Sequence, residues 1–89
     1  LDGARIAVTG ASGGIGLALA EEFARRGAKL VLNARRAEVL TALCTRLGGD
    51  GCDTAVAVGD IAEEATRRKL LDVASERFGG LDILVNNAG

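Results

Sequence analysis

Proline, histidine, tyrosine, tryptophan and methionine are absent from these 89 residues, and the chain has two phenylalanines and two cysteines. Each absence excludes something. Without proline, nothing blocks a strand or helix from running its length. Without histidine or a C-x-x-C spacing, Cys44 and Cys52 offer neither a metal site nor a disulfide framework. They read as reduced structural thiols in a cytoplasmic protein, one on an expected helix and one in the connection after it. No apolar run approaches the ~20 residues that span a bilayer, and no charged-apolar-small leader precedes the first one. Excess charge of one sign is also missing. A net charge of -1 gives no reason to expect nucleic acid or an anionic membrane as partner. The chain begins at Leu1 rather than Met, which reads as a start within a longer sequence.

What is present is a soluble globular composition, 48% hydrophobic and 26% charged. It suits one small domain, which at this size buries roughly 60–68% of its unfolded surface. Apolar residues alternate between short runs and helical periods. Arg5-Ile6-Ala7-Val8-Thr9 reads as a first strand. Gly14 to Arg26 reads as a helix carrying Ile15, Leu19, Phe23 and alanines 18, 20 and 24, with Gly27 to end it. Leu30-Val31-Leu32 is a second strand, followed by a helix from about Arg36 to Leu47 that Gly48-Gly49 should stop. Thr54 to Val58 is a third strand. A helix from Glu63 to Phe78 follows, with Leu70, Leu71, Ala74 and Phe78 facing inward, and Leu81 to Val85 is a fourth strand. Apolar strands alternating with helices predict an α/β fold with a parallel sheet covered on both faces. Right-handed crossovers and a glycine-rich first turn favour a Rossmann-type doubly wound sheet of four strands and three helices, in strand order 3-2-1-4.

The first turn is Thr9-Gly10-Ala11-Ser12-Gly13-Gly14-Ile15-Gly16. Gly10 lets the chain leave the strand sharply, Gly14 presents no Cβ to a diphosphate, and Gly16 lets the helix pack close to the strand. The helix start offers free N–H groups and the positive end of its dipole, and Ser12 can add a hydroxyl. A glycine-rich loop can simply be a tight turn. This one sits between a strand and a helix, the context that confirms nucleotide binding.

With Asp60-Ile61 after the third strand and Asn86-Asn87-Ala88-Gly89 after the fourth, the whole chain resembles the classical short-chain dehydrogenase/reductases. The resemblance implies the nicotinamide dinucleotide-binding half of an oxidoreductase that moves hydride between the cofactor and a carbonyl or alcohol. It also implies contacts from Gly10, Ser12, Gly13, Gly14, Ile15, Gly16, Asp60, Ile61, Asn87, Ala88 and Gly89, with Asn86 bracing the sheet. Asp60 and Ile61 would read the adenine, although Asp60-x-x-Glu63 also has capping-box-like spacing. Asn87 to Gly89 would line the nicotinamide side, or fray as a terminus.

An NAD site commonly carries a carboxylate about 20 residues past the glycines, where it accepts from the ribose 2′-OH. This chain has Asn33-Ala34-Arg35-Arg36 there instead. Two cations suit a helix start poorly, because the dipole there favours anions, yet they suit a 2′-phosphate. By resemblance, Arg35 falls where NADP-preferring members carry a basic residue. The expectation is NADP(H) over NAD(H), with no metal.

The family's chemistry uses a tyrosine, a lysine four residues on, and a serine. The chain has no tyrosine, Ser12 and Ser75 are taken by the turn and a helix, and Lys29 and Lys69 have no tyrosine partner. Residues 1–89 are therefore expected to be a dinucleotide-binding half-domain cut before its catalytic segment, inactive alone. The fourth strand should then be an open apolar edge beside a thinly covered sheet face, and should promote self-association. A non-catalytic Rossmann scaffold is the alternative. An S-adenosylmethionine or flavin-nucleotide site is weaker, since the acidic residue such ligands commonly use is missing.

Overall fold

The computed structural model describes residues 2–49 and 52–87. The elements run β1 (Arg5–Val8), α1 (Gly14–Arg25), β2 (Lys29–Ala34), α2 (Ala37–Gly49), β3 (Thr54–Val58), α3 (Glu64–Phe78) and β4 (Ile83–Val85). All strand pairings are parallel and the order is β3-β2-β1-β4. This is the doubly wound α/β arrangement that the alternation of elements predicts.

Side-chain alternation along the two central strands sorts the core into two layers. Ile6, Val8, Leu30 and Leu32 point to one face, where Ala20 of α1 and Leu40, Leu43 and Leu47 of α2 cover them. Ala7 and Val31, with Ala57 of β3, point to the other face and meet Leu70 and Ala74 of α3. Small residues on that side let α3 lie close to the sheet.

β4 is tied to β1 at its entry. Asp82 accepts from the Arg5 backbone N–H at 2.9 Å, from Nε at 3.1 Å and from Nη2 at 2.8 Å. The Asp82 N–H donates to the Arg5 carbonyl at 2.8 Å. The Arg5 guanidinium holds the Asp82 carboxyl down at about 2.

Four local expectations are corrected. Ile15 is not part of the inward stripe of α1 but is 71% exposed. The buried residues of α1 are Gly16 and Ala20, with Leu17, Phe23 and Ala24 packed beside them, so Ile15 sits one position off the stripe. Leu71 is 56% exposed, because it sits one position beyond the buried pair Leu70 and Ala74, on the side where β4 is the last described strand. Gly48 and Gly49 do not stop α2 but form its last residues, with no positive φ. Asp60 does not cap α3. Glu63 occupies the cap position without a side-chain bond, and the Asp60 carboxylate instead accepts from the Ala62 N–H at 2.9 Å.

Among the described residues β4 is the outer strand on its side of the sheet. Ile83 and Leu84 of β4 are exposed, Leu84 at 55%. Among the described residues no helix is long and apolar enough to cross a membrane, and no cluster of His, Cys, Asp or Glu could hold a metal ion.

Candidate functional site

The carboxyl ends of β1, β2 and β3 open on one side of the sheet, and the glycine turn arches over them. Gly10 has φ 63 and Gly14 has φ 57, a left-handed conformation that L side chains rarely adopt. The turn is pinned at its middle, where Ala11 is buried and its N–H donates to the Asn33 carbonyl at 2.9 Å. Gly13 caps α1 with extended backbone and no side-chain bond, and the first turn of α1 holds no acidic residue. The partial positive charge of the helix start is therefore not offset by the chain's own side chains there.

Gly16 is required by packing. A Cβ there would collide with the Gly10 carbonyl oxygen and lie 2.6 Å from Asn87 Nδ2. At Gly14, by contrast, a Cβ would project into open space, so its left-handed φ is what demands glycine within the protein.

Below the turn, Gly10, Ser12, Arg35, Arg36 and Ile61 surround a cleft of about 290 Å³, floored by Asn33, Ala34 and Gly59. Asn33 is fully buried and does more than stand in for a carboxylate. Its Nδ2 donates to the Ala57 carbonyl at 2.9 Å and to the Gly59 carbonyl at 3.1 Å, joining β2 to the end of β3. That junction fixes the direction in which Asp60 leaves the sheet. Asp60 Oδ2 faces Arg35 Nη2 at 3.4 Å.

A second hollow of about 400 Å³ lies on the α3 side of Ile61, lined by Thr9, Leu70, Leu71, Leu84 and Asn86. Ile61 belongs to both hollows and separates them.

The fourth-strand asparagines converge on Thr9. The Thr9 hydroxyl lies 3.3 Å from Asn86 Oδ1 and accepts from the Asn87 N–H at 2.9 Å. Asn87 Nδ2 donates to the Gly10 carbonyl at 3.4 Å. The end of β4 is thus stitched to the start of the glycine turn. Ala88 and Gly89 lie outside the described residues.

Of the residues singled out in the sequence, the cleft assembles Gly10, Ser12, Arg35 and Ile61, with Asp60 reached through Arg35. Gly13, Gly14 and Ile15 stand at the start of α1, and Asn87 joins through Gly10. Sequence reasoning missed Thr9 and Asn33. The available signal was a polar residue closing an otherwise apolar strand, a position that must find buried partners. Cys52 lies before β3, at the opposite edge of the sheet. Its thiol donates to the Ala28 carbonyl at 3.3 Å, and burial pushes its pKa up.

Comparison with known proteins adds a family. The family model for short chain dehydrogenase matches residues 4–89. Gluconate 5-dehydrogenase of Gluconobacter oxydans is 43% identical over all 89 residues, which cover 35% of that protein. L-Sorbose reductase from Gluconobacter frateurii, solved with NADPH and L-sorbose, superposes with a TM-score of 0.96 at 39% identity. That match covers 100% of this chain and 34% of the reductase. A short chain dehydrogenase/reductase from Burkholderia phymatum, solved with NAD, gives a TM-score of 0.89 at 34% identity, covering 93% of this chain and 30% of that one. The chain spans about a third of the length of relatives such as the gluconate dehydrogenase, and 24% of an 11-beta-hydroxysteroid dehydrogenase of Sesamum indicum.

Proposed function

The chain belongs to the short chain dehydrogenase family, and on that premise we propose that it is the NADP(H)-binding half of an oxidoreductase acting between a carbonyl and an alcohol. The observation that carries the reading is the pairing of a glycine turn, open at the start of α1, with two arginines and no carboxylate among Asn33, Ala34, Arg35 and Arg36 at the end of β2. The residues fit a dinucleotide. The space beyond Gly14 accommodates a diphosphate against the N–H groups of α1, with Ser12 and Gly13 beside it and Ile15 covering one flank. The cleft below takes the adenosine, with Ile61 against the ring and Asp60 accepting from its exocyclic amine.

Arg35 takes the 2′-phosphate, a charge-assisted contact that a hydroxyl cannot match. The likeness to a reductase solved with NADPH supports this choice, and the neighbour solved with NAD is the reason to test it. Asn87, joined to the glycine turn through Gly10, leads towards the nicotinamide side. When bound, the dinucleotide supplies hydride chemistry. The residues of this chain bind and orient it.

In this reading residues 1–89 are one dinucleotide-binding half-domain. The exposed Ile83 and Leu84 of β4 and Leu71 of α3 form a self-associating edge, supported by their apolar character beside a strand that pairs on one side only among the described residues. The free thiols Cys44 and Cys52 fit the reducing interior of a cell. Titration of the protein with NADPH, NADH and S-adenosylmethionine, with light scattering to report mass, tests the assignment. Tightest binding of NADPH is the expected result. A folded protein that binds none of the three supports the non-catalytic scaffold instead.

A further inference from the structure

The rim of the cleft carries Arg35, Arg36 and Asp60, and they are unequally engaged. Asp60 is anchored through one oxygen, which accepts from the Ala62 N–H at 2.9 Å, and turns the other to Arg35 at 3.4 Å. The Arg35 side chain is 79% exposed against 36% for Asp60. The carboxylate is therefore the fixed partner and the guanidinium the adjustable one. Arg36 lines the same cleft and forms no salt bridge among the described residues.

We propose that Asp60 sets how strongly this site prefers a 2′-phosphorylated nucleotide, by competing with that phosphate for Arg35. The inference rests on the reading of Arg35 as the phosphate partner and adds a specificity-determining residue that acts through it. A single-contact ion pair open to water is weak, whereas a phosphate offers a guanidinium two charged oxygens at once. The phosphate wins Arg35, but its gain is reduced by the pair it replaces and by the carboxylate left beside it. A nucleotide with a bare 2′-OH leaves the pair intact and is not penalised. Asp60 therefore narrows the gap between the two ligands, while whatever it contributes to the adenine is common to both.

The test measures dissociation constants for 2′,5′-ADP and 5′-AMP, which differ only in the 2′-phosphate. It uses the wild-type protein, Asp60→Asn, Arg35→Gln and the double variant. Asparagine keeps an oxygen for the Ala62 N–H and removes the charge, so the turn into α3 is retained. Asp60→Ser, whose hydroxyl can also accept from that N–H, is the second variant should the amide fail to fold.

The expected result is that Asp60→Asn raises the preference for 2′,5′-ADP over 5′-AMP by roughly 1.5- to fivefold, the range of an exposed ion pair, with any change in the adenine contact common to both ligands cancelling in the ratio. In the Arg35→Gln background the same change alters the ratio less, because only the direct repulsion between carboxylate and phosphate remains to be relieved. Asp60→Glu, which retains the charge, restores the wild-type ratio. The proposal is overturned if Asp60→Asn leaves the ratio of the two dissociation constants unchanged or lowers the preference for 2′,5′-ADP, or if the effect on that ratio is as large without Arg35 as with it. A wild-type protein that binds the two ligands equally, or an Arg35→Gln variant that keeps the preference, overturns the parent reading and this one with it. The first set of outcomes leaves the parent reading standing.

Discussion

The buried amide of Asn33 donates to the Gly59 carbonyl at 3.1 Å, while the Gly59 N–H returns a bond to the Ala34 carbonyl at 2.9 Å. Two strand ends are locked together immediately under the cleft. Asn33→Ala removes a side-chain donor from that junction and strands buried carbonyl capacity, at a cost of about 1–3 kcal/mol. Asn33→Asp should cost more, since a buried carboxylate cannot donate and faces two carbonyl oxygens. Urea unfolding monitored by circular dichroism checks the order: wild type above Ala, and Ala above Asp.

Glycines at two positions should respond in opposite directions. Gly16→Ala forces a Cβ against the Gly10 backbone and Asn87, so it should lower stability by about 1–3 kcal/mol and weaken dinucleotide binding as the turn shifts. Gly48→Ala meets nothing within 4 Å and keeps a helical φ, so it should raise stability by about 0.5–1 kcal/mol with binding unchanged. Paired thermal melts and NADPH titrations separate the two.

The Arg5–Asp82 clamp should make acid destabilising over a definite range. The folded Asp82 carboxyl sits at about 2 against an ordinary 3.8. Its contribution is present above pH 3.8 and is lost as pH falls towards 2, where the folded form also takes up the proton. Glu22, lowered by Arg26 and Arg25, works in the same direction. Asp82→Asn should therefore flatten part of the fall in melting temperature between about pH 4 and pH 2. Most of its cost should appear near neutral pH, where the wild type holds the ion pair.

The apolar edge should be sensitive to a single charge. Leu84→Lys places an ammonium on an exposed strand residue beside Leu71, a device by which natural edges avoid pairing. Light scattering should report a lower average mass for this variant than for the wild type at equal concentration.

The alternation of elements, the parallel sheet and its strand order were legible because continuous apolar strands and helical periods leave few other solutions. Faces were less legible at the rim. Ile15 and Leu71 carry the right residue type for a core, but each sits one helical step off the stripe that meets the sheet. Which step is inward depends on how the helix is rotated by its neighbours. Gly10, Ser12, Arg35 and Ile61 line one cleft, because turns at the carboxyl ends of adjacent parallel strands leave little freedom. The roles of Thr9 and Asn33 were not legible, since their partners lie on strands 76 and 24 residues away. Asp60 shows the same limit. Its spacing to Glu63 suggested a cap, but the chain starts α3 later and turns the carboxylate towards Ala62 and Arg35.

Side-by-side titration of NADPH and NADH into the wild type and into Arg35→Asp tests the central claim most directly. A charge-assisted contact to the 2′-phosphate contributes about 1.5–3 kcal/mol, so the wild type should favour NADPH by at least about tenfold. The aspartate should reverse that preference by accepting from the ribose 2′-OH and repelling the phosphate. Equal affinities in the wild type, with the same ratio in Arg35→Asp, would contradict the account.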